Sequence, residues 1–272
     1  MGTSGELGLP RSFPSYRYRV DQNLILTTDG PVATVTIDRP AKKNALSYEM
    51  WRALPDLVRQ VAADDTLRAL IIQGTESFSA GADITEFGTV RRDVAGARDY
   101  AAAIEAATGA LTALPKPTIA AVTGFCIGGG CELALACDLR VAAEDARFGI
   151  TPAKLGIVFA LPSTRLLVNA VGPAWAKQIL FTADILDART ALRIGLVNEL
   201  QADPRARAVE LAGVMAARSR TTISGAKEII GRIVDGRHDE DDAVHLLYAA
   251  SVGGADYAEG VSAFLEKRSP QF

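Results

Sequence analysis

The segment Gly124-Phe125-Cys126-Ile127-Gly128-Gly129-Gly130-Cys131-Glu132 places three glycines almost against a carboxylate. It lies between a β-prone run, Thr118-Ile119-Ala120-Ala121-Val122, and a helix-prone run, Glu132-Leu133-Ala134-Leu135-Ala136. Glycine allows a sharp turn or the close approach of a ligand to backbone. The amides at a helix start lack intrahelical partners and carry partial positive charge. Together these features form a place for a negative oxygen, with Glu132 in the first helical turn as a base beside it. An oxyanion donor and a neighbouring acid/base are the two parts needed for proton transfer next to a carbonyl. Spacing alone leaves a second explanation open: tight helix-on-strand packing, with Glu132 as a dipole partner.

A second glycine turn accompanies the first. Ala69-Leu70-Ile71-Ile72-Gln73-Gly74 reads as a buried strand, and Phe78-Ser79-Ala80-Gly81-Ala82-Asp83-Ile84 follows it. Around these stand Arg39-Pro40-Ala41-Lys42-Lys43-Asn44-Ala45-Leu46, Pro115-Lys116-Pro117, Cys137-Asp138, Phe148-Gly149, Leu155-Gly156 and Ala263-Phe264-Leu265-Glu266-Lys267-Arg268. In this order, from about residue 20 to the C-terminus, the segments resemble the crotonase family, the enoyl-CoA hydratase/isomerase superfamily of acyl-CoA enzymes.

The resemblance implies an α/β fold, a right-handed crotonase-like spiral of ββα units with a helical C-terminal trimerisation region. It also implies a homotrimer or a hexamer made from two trimers. Glu132 would be the general acid/base, with the backbone amides of Ala82 and Gly129 as oxyanion donors. The substrate would be an acyl-CoA, its CoA lying along Lys42, Lys43, Ala45, Ala80, Asp83 and Ile84, with Gly128 also among the residues that bind substrate or CoA. Phe264 and Lys267 match the C-terminal CoA contact, which often belongs to an adjacent subunit. No metal and no redox cofactor is implied, because CoA arrives as part of the substrate.

One departure from the family pattern bears on mechanism. A standard hydratase of the family flanks one water with two glutamates, the second following a proline. The corresponding stretch here is Phe148-Gly149-Ile150-Thr151-Pro152-Ala153-Lys154-Leu155-Gly156, which puts Pro152 in the second glutamate's place. A positioned acid or base contributes about 10²–10⁴-fold, or roughly 3–5 kcal/mol. Its absence weakens two-carboxylate hydration, while isomerisation needs one shuttling group. Asp83, Glu86 and Lys154 are the nearest substitutes by motif, and Phe159 offers no hydroxyl. Phe87, Val90, Tyr100, Ile104, Val158, Phe159 and Leu161 are candidates for an acyl pocket, with core packing as their default role. Three readings follow: an enoyl-CoA hydratase/isomerase, a decarboxylase or other lyase on the same scaffold, and a catalytically weak CoA- or RNA-binding relative.

The elements that must position these groups are legible in outline. Asn23–Thr28 and Val32–Ile37 read as a hairpin around Asp29-Gly30-Pro31. Ser47 is an N-cap for a helix to about Ala63. Strand Ala69–Gln73, a helical stretch from about Arg91 to Leu114, strand Thr118–Val122, helix Glu132–Ala136 and strand Leu139–Ala142 follow. Further helices are expected over Pro173–Phe181, Ala188–Ile194, Pro204–Arg218, Ser224–Val234, Asp241–Val252 and Ala255–Arg268. Gly195 reads as a C-cap. The expected organisation is a flexible leader over 1–19, a core with the CoA and catalytic site over 20–200, and an oligomerisation region over 201–272.

Composition agrees with an ordinary globular protein. The chain has 272 residues, 49% hydrophobic and 22% charged, with a net charge of −3. This balance gives no electrostatic reason to expect nucleic acid. No apolar run approaches the roughly 20 residues that span a bilayer. The first 19 residues lack the apolar stretch of a secretory signal, although their arginines permit an organelle-targeting reading. Cys126, Cys131 and Cys137 lack zinc-finger spacing and read as small buried hydrophobes of a reducing compartment, the cytoplasm. His238 and His245 sit seven residues apart near a charged helix, where no acidic or sulfur cluster completes a metal-ligand set, and they read as surface residues.

Overall fold

The computed structural model describes residues 17–21 and 23–272. Strands β1 (Arg17–Asp21), β2 (Leu24–Asp29) and β3 (Val32–Ile37) lead into α1 (Tyr48–Ala63) and β4 (Ala69–Gly74). Helices α2 (Phe87–Val90) and α3 (Val94–Ala113) precede β5 (Thr118–Val122), β6 (Phe125–Ile127) and α4 (Gly129–Leu135). Next come β7 (Leu139–Ala143), β8 (Arg147–Gly149), α5 (Leu161–Thr182), β9 (Leu186–Asp187) and α6 (Ala188–Arg193). β10 (Glu199–Gln201), α7 (Pro204–Ala216), α8 (Arg220–Val234), α9 (Asp242–Val252) and α10 (Ala255–Glu266) complete the order.

The larger sheet runs β1-β2-β3-β4-β5-β7-β10, and a smaller one runs β6-β8-β9. β1, β2 and β3 pair antiparallel, and the larger sheet is parallel from β3 onward. Both faces of its central strands are covered. Leu70 and Ile72 face a core with α1 and α3, whereas Ala69 and Ile71 face Ala208 and Ala212 of α7. Successive strand residues point to opposite faces, so a doubly covered strand reads as one continuous apolar run.

The spiral is visible in the register. Each turn places one strand in the larger sheet, a short strand in the smaller one, and then a helix. β5, β6 and α4 make one turn, and β7, β8 and α5 make the next. The turn before them is β4, the segment at Ser79, and α3, because Ser79 bridges Cys126 in parallel. Cys126 in turn pairs with Phe148. Three residues beyond each of these aligned positions stand Ala82, Gly129 and Thr151. The fold therefore brings three distant segments to one corner of three successive turns.

Local chemistry fixes the supports of that corner. Ser47 Oγ accepts the Met50 N–H and caps α1, whose buried stripe runs Met50, Trp51, Leu54, Leu57, Val58, Val61. At the other end of α1, buried Lys116 donates from Nζ to the carbonyls of Val61 and Asp64 at 2.5 and 2.6 Å. A cation at a helix C-terminus complements the exposed carbonyl ends.

Several sequence expectations change. Of the leader expected over 1–19, residues 1–16 lie outside the described residues, and Arg17–Arg19 belong to β1. The boundary expected at 200/201 falls inside β10, and α7 packs on the sheet, so the tail that leaves the core begins with α8. The glycine-rich helix begins at Gly129, three residues before the expected start at Glu132. The helix expected from Pro173 is the second half of α5, which starts at Leu161 and bends where Gly172 adopts φ +74°.

Candidate active site

The two expected oxyanion amides are set by different devices. Leu46 bridges Ala82: the Leu46 N–H donates to the Gly81 carbonyl at 2.7 Å, and the Asp83 N–H donates to the Leu46 carbonyl at 2.8 Å. This pairing uses the groups flanking Ala82, so the Ala82 N–H points to the other side. No hydrogen bond among the described residues takes that N–H. Gly129 is the first residue of α4, where an amide has no intrahelical acceptor. Gly128 turns the chain into that helix at φ +51°, a region that favours glycine, and its own N–H donates to Gly149 at 2.7 Å.

The two amides are neighbours. A Cβ built on Gly129 would lie 3.5 Å from Ala82 N, 3.6 Å from Glu132 Oε2 and 2.9 Å from Trp51 Cζ2. One built on Gly81 would lie 3.3 Å from Gly129 N. The same absence of side chains thus serves close packing and opens a small space where two N–H groups and a carboxyl converge. Glu132 is 7% exposed. Burial pushes its carboxyl above the ordinary glutamate value, while the Ser163 hydroxyl and the Arg91 charge partly offset that rise. A carboxyl raised in this way can both take and return a proton nearer neutral pH.

The loop behind Ala82 is held by a buried network. Asn44 Nδ2 donates to the Ser77 carbonyl at 2.5 Å, and Asn44 Oδ1 accepts the Arg39 N–H at 2.7 Å. Ser79 Oγ donates to the Asn44 carbonyl at 2.7 Å and accepts the Gly81 N–H at 3.1 Å. Asp83 pairs with Arg39 at 2.7 Å and accepts the Thr85 hydroxyl at 2.5 Å. Burial opposes the Asp83 charge, but the Thr85 and Arg39 contacts outweigh it and hold its carboxyl below the ordinary aspartate value. The Asp83 side chain is therefore engaged in fixing the loop.

A cavity of about 190 Å³ opens at this corner. Of the expected site residues, Ala80, Ala82, Ile84, Gly128, Gly129 and Glu132 line it. Lys42, Lys43, Ala45 and Asp83 lie in or beside the same loops without lining it. Lys42 reaches Thr85 at 3.4 Å, and Lys43 sits 5.1 Å from the centre of the Phe125 ring. Phe264 and Lys267 stand in and just after α10, which packs on α9, and the chain by itself does not bring them to the cavity.

The candidates for a replacement acid do not reach the cavity either. Besides the engaged Asp83, Glu86 accepts the Tyr48 N–H at 2.9 Å, and Lys154 is exposed. Pro152 does line the cavity, at the corner of the third turn, so no carboxyl stands at that place. Five of the seven acyl-pocket candidates line it; Val90 and Leu161 do not. Arg91 and Ser163 line it without having been singled out in the sequence. Arg91 looked like an ordinary helix-start charge. Ser163 comes into place because α5 packs on α4, and no local motif announces that contact.

Comparison with known proteins agrees with this geometry. Residues 27–272 match the family described as Enoyl-CoA hydratase/isomerase. The crotonyl-CoA hydratase of Syntrophomonas wolfei is 37% identical over 260 residues, covering 92% of this chain and 98% of that protein. The short-chain-enoyl-CoA hydratase of Clostridium acetobutylicum is 35% identical over 254 residues, covering 90% and 95%. The crystal structure of a putative enoyl-CoA hydratase/isomerase family protein from Hyphomonas neptunium superposes with a TM-score of 0.90 at 38% identity, covering 92% and 97%. On the spiral, the converging amides and these likenesses together, the chain belongs to the enoyl-CoA hydratase/isomerase family of the crotonase superfamily.

Proposed function

We propose that the protein acts on enoyl-CoA thioesters through an oxyanion-stabilised enolate, with Glu132 as the shuttling acid/base. One observation carries this reading: two neighbouring amides and a buried carboxyl meet in one cavity, while the third turn supplies no second carboxyl. In a 3-enoyl thioester, the Glu132 carboxylate takes a proton from C2. The released electron pair moves onto the thioester oxygen, which accepts hydrogen bonds from Ala82 and Gly129. Glu132 then returns the proton to C4, and the double bond settles between C2 and C3. Each amide is worth about 3–4 kcal/mol in the transition state. Hydration at the same site asks Glu132 alone to take the proton of water and deliver one to C2. That is the slower task for one group.

CoA enters as part of the substrate, and every proton step above uses groups of the chain. Its pantetheine and nucleotide follow the loop of Lys42, Lys43, Ala45, Ala80, Asp83 and Ile84, past Gly128. Phe264, 83% exposed, and Lys267 meet the CoA held by a neighbouring subunit of a homotrimer or a hexamer of two trimers. Support for assembly comes from exposed apolar side chains on α8–α10, among them Ile230, Leu246, Val252, Phe264 and Leu265. Exposed apolar side chains gathered on consecutive helices are what a subunit interface would cover. Three buried free cysteines support a reducing compartment such as the cytoplasm. Among the described residues no helix is long and apolar enough to cross a membrane.

The test measures hydration of crotonyl-CoA and isomerisation of 3-hexenoyl-CoA side by side, for wild type and Glu132→Gln. The expected result is isomerisation ahead of hydration, with both lost in the variant. A folded protein that turns over neither thioester contradicts the proposal, and so does turnover indifferent to Glu132.

A further inference from the structure

Part of the cavity wall carries hydrogen-bond donors with nothing to donate to. Tyr100 is 1% exposed and lines the cavity, yet its hydroxyl has no partner. The ring cannot swing away to find one. Tyr48 stacks on it at 5.5 Å between centroids, and Phe87 meets it edge-on at 5.6 Å. Trp51 Nε1, fully buried and near the Tyr100 hydroxyl, is also without a hydrogen-bond partner. Buried polar groups without partners are rare in native proteins, and each calls for an explanation.

Arg91 supplies the second, independent observation. Its guanidinium lies 4.5 Å from the centre of the Phe87 ring and 5.2 Å from that of Tyr100. It lines the same cavity and has neither an ion pair nor a hydrogen bond among the described residues. The two rings flank the guanidinium, and its N–H groups are unspent among the described residues. Guanidinium is suited to two-pronged recognition of a carboxylate. Of the carboxyls lining the cavity, Glu132 and the exposed Glu105, neither forms an ion pair or a hydrogen bond with Arg91, although the Arg91 charge acts on Glu132.

We infer that this wall selects an acyl-CoA whose acyl chain carries a carboxylate, paired with Arg91 and hydrogen-bonded by the Tyr100 hydroxyl. The inference rests on reading the cavity as an acyl-CoA site and names the chemical class of acyl group for it. A plain alkyl chain would leave the buried Tyr100 hydroxyl unpaired and crowd the Arg91 charge with no return. A carboxylate satisfies both, and it would make binding sensitive to salt.

Unreactive saturated thioesters test this apart from turnover. Titration calorimetry on the full chain compares glutaryl-CoA with hexanoyl-CoA for wild type, Arg91→Gln, Arg91→Lys and Tyr100→Phe, with melting curves as a folding control. Wild type should bind glutaryl-CoA about 10–100-fold more tightly, the range of a charge-assisted hydrogen bond. Arg91→Gln should abolish the preference. Arg91→Lys should restore part of it, and Tyr100→Phe should reduce it several-fold. Equal affinities in wild type, or a preference that survives Arg91→Gln, overturn the inference while leaving the CoA site standing. Failure of both ligands to bind overturns the acyl-CoA reading and this inference with it.

Discussion

The second and third turns of the spiral present the same backbone corner with opposite chemical content. In the second, Gly128 turns the chain so that the Gly129 amide and the Glu132 carboxyl share one small space. In the third, Thr151 and Pro152 occupy the aligned corner, and neither carries a carboxyl. The fold places backbone at a corner three times over, but it does not decide what stands there. Electrostatic stabilisation of an enolate belongs to the scaffold, since main-chain amides supply it. The number of carboxyls belongs to individual residues, and among the described residues a single buried one lines the cavity. That difference separates a proton shuttle from a two-carboxylate hydratase.

The sharpest way to break the comparison is to disarm the second turn. Glu132→Gln keeps the shape and removes the acid/base, so kcat should fall about 10²–10⁴-fold with little change in KM. Gly129→Ala attacks the same corner through the backbone. The new methyl would meet the Trp51 ring at 2.9 Å and push the amide out of line. A loss of about 10²–10³-fold in kcat is expected, with thioester binding retained. Both are read from steady-state kinetics on protein whose melting curve is cooperative.

Arming the third turn sharpens the comparison from the other side. Pro152→Glu would place a carboxyl where the cavity now has a ring, and hydration of crotonyl-CoA should rise about tenfold or more relative to isomerisation. Like charges sharing one site would also drive the Glu132 carboxyl further up. The smallest effect concerns stability. Glu132 is raised in the folded protein above its ordinary value of 4.5, so the native state holds the proton more tightly than the unfolded chain. Stability attributable to this group is therefore highest below about pH 4.5 and is lost as pH rises through the folded value. Glu132→Gln should melt above wild type at neutral pH, and the gap should close on acidification. A gap independent of pH would show that the buried carboxyl is not raised.

Much of this was legible in the sequence. The buried strands β4 and β5, the capped start of α1 at Ser47 and the pairing of glycines with Glu132 carry strong local signals: apolar runs, an N-cap and a turn. The short strands were not, because three residues of Phe125–Ile127 or Arg147–Gly149 give too little alternation to read. The register that aligns Ala82, Gly129 and Thr151 depends on those strands. The first half of α5 was hidden by Pro162 at its start and Gly172 at its bend, so Ser163 was missed with it. Tyr100 was visible as a pocket candidate, yet its orphaned hydroxyl emerges from packing between α1, α2 and α3. Arg91 precedes α3 and resembles any exposed charge until Phe87 and Tyr100 stack against it.

The most direct test of the account follows the α-proton itself. Butyryl-CoA, which has no double bond to hydrate or shift, is incubated with the protein in D₂O, and deuterium at C2 is followed by NMR. The account predicts exchange catalysed by wild type and slowed at least about 10²-fold in Glu132→Gln. Exchange that persists undiminished in the variant, or none in a wild type that binds the thioester, would contradict an enolate formed by Glu132.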